Sequence, residues 1–186
     1  MNNLYQNIHQ LIIDKCLQGD RKAQIELYKI YYKAMYNTSL RIVNNTADAE
    51  DIMQEAFISA FAKLHTFDGS SAFGAWLKKI VVNKSIDFLK KRKIETVDMT
   101  NINIPEEETT DSVTAFAEIK AAEIKKAISE LPDGYRVILS LYLLEGYDHD
   151  EIAEIMNITS STSRSQYTRA KRKLAGLLEN KQYSHE

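Results

Sequence analysis

Apolar residues recur every three or four positions along most of this chain, which is the spacing of one face of an α-helix. Of the 186 residues, 44% are hydrophobic and 27% are charged, an ordinary balance for a globular protein. Only two prolines and six glycines are present, so few positions can form the turns that a fold of many short strands needs. The pattern predicts an all-α protein.

Charge is distributed unevenly and divides the chain into blocks. Residues 78–93 carry seven cations and one anion, residues 94–118 carry seven acids and no Lys or Arg, and residues 164–173 carry five cations and no acid. The acidic block contains Pro105 and has no sustained apolar spacing, which is typical of a linker. We therefore predict two small helical domains joined by an acidic linker, with a helical N-terminal extension at 1–19, a first domain at 20–93, the linker at 94–115, a second domain at 116–180 and a tail at 181–186.

The first domain is predicted to contain three amphipathic helices that share a core. Carboxylates favour a helix N-terminus, so the second helix is expected to begin near Thr46, ahead of Asp48. The third is expected to begin near Ala72, where Ser70 and Ser71 can cap it. The three apolar stripes are Leu27, Tyr28, Tyr31, Tyr32, Met35 and Tyr36; Ile52, Met53, Ala56, Phe57, Phe61 and Leu64; and Phe73, Trp76, Leu77, Ile80 and Val81.

The second domain is predicted to end in a helix-turn-helix. Helices are expected at 116–130 and at 135–145, the latter ended by Gly146. Asp148 stands three residues before Glu151, as in a capping box, ahead of a short apolar helix. A break at 157–159 leads into a last, basic helix. A short helix, a tight turn and a basic helix are typical of a DNA-binding helix-turn-helix.

The last helix is predicted to present a polar, basic face to DNA. Arginine can make bidentate contacts to guanine and glutamine to adenine, while lysine and serine can reach phosphates. A solvated basic helix without a ligand is the alternative when this helix is taken alone. The outward residues are Arg164, Ser165, Gln166, Arg169 and Lys173, and the inward ones are Tyr167, Ala170, Leu174 and Leu177.

The helix at 47–57 is predicted to have an exposed acidic and amide face opposite its apolar stripe. Phosphates would be repelled by that face, so a protein partner suits it better than DNA. The stripe by itself indicates only a core.

An aromatic loop and a cationic helix end indicate single-stranded DNA binding in the first domain. Phe67 lies in the loop, Asn83 lies on the third helix, and cations follow at 90–93. Bases can stack on rings while cations follow the phosphate backbone. Phe73 and Trp76 have helical spacing and are better explained as core residues, whereas Phe67 and Asn83 are expected to be freer to meet a base.

Enzymatic and metal-binding classes receive little support from the residues. A lone cysteine, Cys16, cannot form an internal disulfide, and no glycine-rich phosphate loop is present. No signal-peptide pattern and no long apolar run occur, so we expect a cytoplasmic protein without membrane insertion. We predict no catalytic residue, metal, cofactor or small-molecule substrate, since the histidines are scattered at His9, His65, His149 and His185.

Three stretches together resemble the extracytoplasmic-function class of the sigma-70 family of RNA polymerase sigma factors. They are residues 48–57 (DAEDIMQEAF), residues 73–83 (FGAWLKKIVVN), and the pair at 151–155 (EIAEI) and 169–174 (RAKRKL). The resemblance spans nearly the whole chain, with region 2 at 20–93 and region 4 at 116–180. It implies an alternative sigma factor that binds core polymerase, directs it to promoters and helps to melt DNA.

The resemblance implies particular contacts. The acidic helix would dock on the clamp helices of the β′ subunit, the loop and third helix would capture a flipped base of the minus-ten element, and the last helix would bind the minus-thirty-five element. An apolar surface near 139–143 would meet the β flap, the acidic linker would thread past the active-centre cleft, and an anti-sigma factor is a further implied partner. The residues concerned are Asp51, Ile52, Gln54 and Glu55 for polymerase; Phe67, Asp68, Ser70, Trp76, Lys79, Asn83, Lys90 and Lys91 for the minus-ten element; and Arg164, Ser165, Gln166, Arg169 and Lys173 for the minus-thirty-five element.

The chain departs from the family where Ser161, Ser163 and Gln166 replace a frequent glycine, valine and arginine. Exchanging a cation for an amide should change which promoter is bound rather than whether DNA is bound.

Two other functions stay open on the residues alone. One is a helix-turn-helix regulator that binds duplex DNA without polymerase, and the other is an enzyme or a protein-only adaptor.

Overall fold

The computed structural model describes residues 8–97 and 121–182, with side chains at 8–93 and 121–179. All regular structure within these ranges is helical. The chain divides into two compact units, Met1–Phe88 and Leu89–Glu186. The all-α fold predicted from the apolar spacing is therefore confirmed. No helix in the described ranges is long and apolar enough to cross a bilayer.

Four α-helices and one short 3-10 turn follow one another up to residue 97. They are α1 (Gln10–Leu17), α2 (Arg21–Val43), α3 (Thr46–Ala62), the 3-10 turn Leu64–Thr66 and α4 (Phe73–Val97). Helix α3 begins at Thr46 as expected, and Asn45 caps it by accepting a hydrogen bond from the backbone N–H of Asp48 at 3.1 Å. Helix α4 continues through residues 94–97, the first part of the expected linker, whereas residues 98–120 lie outside the described ranges.

The first unit has a core built from the apolar stripes predicted on α2, α3 and α4. Leu27, Phe57 and Leu77 are almost fully buried, and Ile13 of α1 joins them. Tyr28 packs edge-on against Phe57 with ring centroids 4.8 Å apart, so the two stripes interlock through aromatic contacts. The core fixes which sides of α3 and α4 remain outward.

Beyond the end of α4, the described residues of the second unit form four α-helices and a π-helical turn. They are α5 (Ala121–Ser129), α6 (Asp133–Leu139), the π-helical turn Ser140–Leu144, α7 (His149–Met156) and α8 (Ser160–Gln182). Helix α8 packs against α5, α6 and α7. The helix expected at 135–145 is thus interrupted: Glu145 donates its backbone N–H to Ser140 O at 3.0 Å, five residues back. Gly146, with φ +81°, then turns the chain toward α7.

The capping box predicted at the start of α7 is present. Asp148 accepts the backbone N–H of Glu151 at 2.8 Å, and Glu151 accepts the backbone N–H of Asp148 at 2.9 Å. Two otherwise unpaired donors are therefore satisfied, and the short helix begins at a defined residue.

Replacing Asp148 with alanine is expected to destabilise α7 by about 1 kcal/mol, because the cap is lost and the first-turn N–H groups need other acceptors. Amide hydrogen exchange along α7 measures the effect as faster exchange. Asp148→Ser is the matched control, since a serine hydroxyl can still accept at this position. Equal protection in the alanine and serine variants would show that the cap does not stabilise the helix.

Candidate nucleic-acid and protein interfaces

Side-chain and backbone bonds define the turn between α7 and α8. Asn157 ends α7 in a left-handed conformation, with φ 57°. Ile158 donates its backbone N–H to Ala153 O at 3.0 Å, and Thr159 accepts the N–H of Thr162 at 3.1 Å. The turn therefore ends one helix and caps the next within three residues, as the helix-turn-helix pattern predicts.

Helix α8 presents the predicted basic residues outward. Arg164, Ser165, Arg169 and Lys173 are exposed, and Gln166 is partly exposed. The opposite side is buried through Ser163, Ala170, Leu174 and Leu178. Tyr167 and Leu177, which were expected to face the core, are only partly buried.

Ser165 is already engaged within the helix. Its hydroxyl donates to the carbonyl of Ser161 at 3.0 Å, so the oxygen keeps only its acceptor capacity in this rotamer. An acceptor suits a base amino group, whereas contact with a phosphate needs the hydroxyl to rotate away from Ser161.

The aromatic loop differs from expectation at Phe67. Its ring lies edge-on to Phe73 at 5.5 Å and tilted against Trp76 at 5.4 Å, and it is partly buried. Phe67 is therefore part of an aromatic cluster and is not a freely projecting ring. Phe73 is buried as expected, but Trp76 keeps part of its surface exposed. Phe67 and Trp76 each keep part of their surface exposed.

Asp68 and Ser70 shape the loop between α3 and α4. Asp68 accepts the backbone N–H of Ser70 at 2.9 Å across Gly69, whose φ is +73°. Hydrogen bonds from the Ser70 side chain and backbone hold the pKa of Asp68 below its ordinary value. The carboxylate is therefore charged, and it can accept from a base amino group but would repel a phosphate.

Helix α4 aligns most of the predicted minus-ten residues on one side. At 100° per residue, Trp76, Lys79, Asn83 and Lys90 fall within about 60° of one another around the axis. Lys79, Asn83 and Lys90 are exposed. Lys91 is also exposed but lies about 100° further round. The arrangement is a ring followed by an amide and cations along one helix face, which fits a single strand running along α4.

The acidic face of α3 is exposed at Asp51, Gln54 and Glu55. Ile52 does not belong to it: only 5% of its surface is exposed, so it packs inward and cannot touch a partner without unfolding the helix. Glu55 pairs with Lys84 of α4 at 3.4 Å, an exposed salt bridge that leaves the carboxylate accessible.

An apolar residue that the sequence reasoning missed extends this face. Ile58 lies three and four residues after Glu55 and Gln54 and is 70% exposed. The spacing 51, 54, 55, 58 was the signal that could have identified it. We call Asp51, Gln54, Glu55 and Ile58 the α3 face.

The apolar surface expected near residues 139–143 is smaller than predicted. Leu139 and Leu141 are fully buried in the second unit. Tyr142 and Leu143 remain, with 37% and 46% of their surfaces exposed. Of residues 139–143, only this pair is exposed.

Metal-binding groupings of His, Cys, Asp and Glu are not found among the described residues. The lone thiol, Cys16, is buried, and burial together with the nearby Asp20 and Glu26 carboxylates raises its pKa. A thiol in that environment stays protonated and unreactive.

Two stretches of the chain match family models. Residues 27–94 match sigma-70 region 2, and residues 121–174 match sigma-70 region 4. The extracytoplasmic-function (ECF) RNA polymerase sigma factor SigM of Bacillus subtilis is 33% identical over 153 residues, which cover 82% of this chain and 93% of SigM. The ECF RNA polymerase sigma-E factor of Escherichia coli K12 is 32% identical over 175 residues, covering 87% and 90% of the two chains.

The fold resembles two solved structures. The sigma factor RpoE of Bartonella quintana, solved with the anti-sigma factor NepR, has a TM-score of 0.57 at 24% identity and covers 83% of this chain and 95% of its own. CnrH, solved with the cytosolic domain of CnrY, has a TM-score of 0.55 at 20% identity and covers 91% and 96%.

Proposed function

The chain belongs to the ECF RNA polymerase sigma factors of the sigma-70 family, and we propose that its two units divide the work of promoter recognition between them. As an alternative sigma factor it directs RNA polymerase to promoters. In the proposal, the first unit binds core polymerase and, together with the rest of α4, the minus-ten element, and the second unit binds the minus-thirty-five element. Sigma factors are not a catalytic family, and the proposal gives this chain no reaction of its own.

The α3 face is the proposed contact with the clamp helices of the polymerase β′ subunit. Its acids and amide are exposed, and Ile58 adds an apolar centre next to them. An apolar residue surrounded by polar groups is the usual make-up of a protein interface. Ile52 acts only indirectly, since its burial holds α3 against the core. On the second unit, Tyr142 and Leu143 are the proposed contact with the β flap.

The loop between α3 and α4 and the outer side of α4 are the proposed site for the minus-ten element. A flipped base would pack against the exposed parts of the Phe67 and Trp76 rings, Asp68 would accept from its amino group, and Lys79, Asn83 and Lys90 would follow the strand. Ser70 supports this site by fixing the Asp68 carboxylate. Lys91 would meet the backbone at the edge of the site.

The observation that carries the proposal is the outward placement of Arg164, Ser165 and Arg169 on the second helix of a capped helix-turn-helix. Gln166 and Lys173 complete the face.

Transcription with purified core polymerase on genomic DNA tests the function as a whole, with start sites mapped by sequencing. Discrete start sites that need both core and this chain are expected. A footprint on duplex DNA without core would instead support an independent helix-turn-helix regulator.

The proposal also includes regulation of this chain by an anti-sigma factor. It further places the chain in the cytoplasm. Both RpoE and CnrH were solved with bound protein partners. The acidic residues 98–115, expected to thread past the polymerase active centre, lie outside the described ranges, so that role stays a prediction from the sequence.

Replacing Phe67 with leucine is expected to lower transcription from a duplex promoter by about tenfold, because a ring that stacks on a base is removed while apolar volume is kept. On a template whose minus-ten region is already mismatched, the loss is expected to be much smaller, since that strand is open beforehand. Run-off transcription on the two templates measures the difference. Phe61→Leu, at a partly buried ring on α3 packed against Phe57, is the matched control. Equal losses on both templates for Phe67→Leu would contradict the role in melting.

A further inference from the structure

A hydrogen bond to a fully buried serine joins the two helices of the helix-turn-helix. Ser163, in the first turn of α8, is 0% exposed, and its hydroxyl oxygen lies 2.9 Å from His149 Nδ1 at the start of α7. No buried side-chain nitrogen or oxygen among the described residues lacks a partner. Because an unpaired buried hydroxyl is costly, this bond constrains where α8 can lie relative to α7.

Two tyrosine rings pack on the histidine of this bond. Tyr142 of the π-helical turn stacks on His149 with centroids 4.7 Å apart and planes 25° apart. Tyr167 of α8 lies 4.5 Å from Tyr142 and 5.3 Å, edge-on, from His149. Ser163 and Tyr167 are one turn apart on α8, so the helix is held at two points along one side. We call His149, Ser163, Tyr142 and Tyr167 the anchor cluster.

A second bond reinforces the first. Ser160, the first residue of α8, donates its hydroxyl to the carboxylate of Asp150, the neighbour of His149. Adjacent residues of α7 are therefore tied to two positions in the first turn of α8. The proposed base-contacting residues Arg164, Ser165 and Gln166 stand directly between Ser163 and Tyr167 in the chain.

We propose that the anchor cluster sets the rotation of α8 about its own axis and thereby decides which bases of the upstream promoter element this chain prefers. The proposal rests on the proposed function. With side chains a helix has a radius of about 5–6 Å, so a rotation of 20° moves a side-chain tip by about 2 Å. A shift of that size breaks a bidentate contact, which needs donor and acceptor within about 3 Å in good alignment. His149 is thus a positioning residue that acts through α8.

Three variants distinguish a role of the His149–Ser163 bond in positioning α8 from a role in packing the interior. His149→Phe keeps a ring for Tyr142 but leaves the Ser163 hydroxyl without its partner. The double variant His149→Phe/Ser163→Val replaces both polar partners with apolar side chains of similar volume, so no buried hydroxyl is left without a hydrogen-bond partner. His149→Asn places a polar atom close to the Nδ1 position, so it can keep the bond to Ser163 without the stacking.

The test uses the full chain with core polymerase on a promoter library randomised in the upstream element. Sequenced transcripts give the ratio between the most and the least used sequences. His149→Phe is expected to reduce that ratio by on the order of tenfold, the value of one good base contact. The double variant is expected to regain the wild-type melting temperature but not the wild-type preference, and His149→Asn to retain the preference.

A double variant that regains both stability and preference would show that the bond only packs the interior, and would overturn the inference. An unchanged preference in His149→Phe would do the same. If the wild-type chain itself showed no upstream preference while using core polymerase, the proposed role of the second unit would fail instead.

Discussion

Replacing Ile58 with aspartate is expected to weaken binding to core RNA polymerase by on the order of 100-fold, the effect of disrupting a central interface residue. Ile58 is 70% exposed, so the folded chain tolerates the change, whereas in the complex a carboxylate would be buried where an apolar side chain fits. Titration of labelled core polymerase with the variant measures the dissociation constant.

Ile25→Asp is the matched control for that experiment. Ile25 lies on α2 and is 56% exposed, so the same substitution adds the same charge at a similarly exposed isoleucine outside the α3 face. Its affinity for core is expected to stay within about twofold, because surface substitutions away from an interface have small effects. Equal weakening by both substitutions would mean that added charge, and not the α3 face, determines binding.

The helices and their order could be predicted because their signals are local. Leu27, Phe57 and Leu77 each belong to a stripe of apolar residues spaced three and four apart, and such stripes specify buried faces. The capping box at Asp148 likewise depends on residues only three positions apart. The π-helical turn could not be predicted in this way. It lies in a run that is apolar except for Ser140 and contains no glycine or proline, and its widening accompanies packing of the fully buried Ser140 and Leu141 against the rest of the second unit.

Which residues of a helix are exposed could be predicted, but which residues of different elements contact each other could not. Arg164 and Arg169 lie outward because their positions oppose Ala170 and Leu174 on α8. The contact between Phe67 and Trp76 depends on how a loop folds back on α4, which spacing does not encode. The bond between His149 and Ser163 crosses a turn in the same way, so the pairing of these two residues could not be predicted from the sequence.

Replacing Arg164 and Arg169 together with alanine is expected to lower transcription from a promoter that needs its upstream element by on the order of 100-fold, since each arginine can supply a base contact worth about 1–3 kcal/mol. Affinity for core polymerase is expected to stay unchanged, because these residues lie on α8 and the α3 face is in the other unit. The salt dependence of promoter binding should also become shallower, as two cations no longer displace counterions. Transcription and filter binding over a range of salt concentrations measure both effects.

Arg21→Ala/Lys22→Ala is the matched control, because it removes the same two positive charges from exposed positions at the start of α2. If net charge alone drew the chain to DNA, both double variants would lose transcription to the same extent and the exposed face of α8 would have no special role. If α8 binds the groove, only the Arg164/Arg169 variant loses its upstream preference, and on a promoter whose minus-ten region is already open it should regain part of its activity. Melting temperatures of both variants must match the wild type for this comparison, since Arg169 also has contacts within the folded chain.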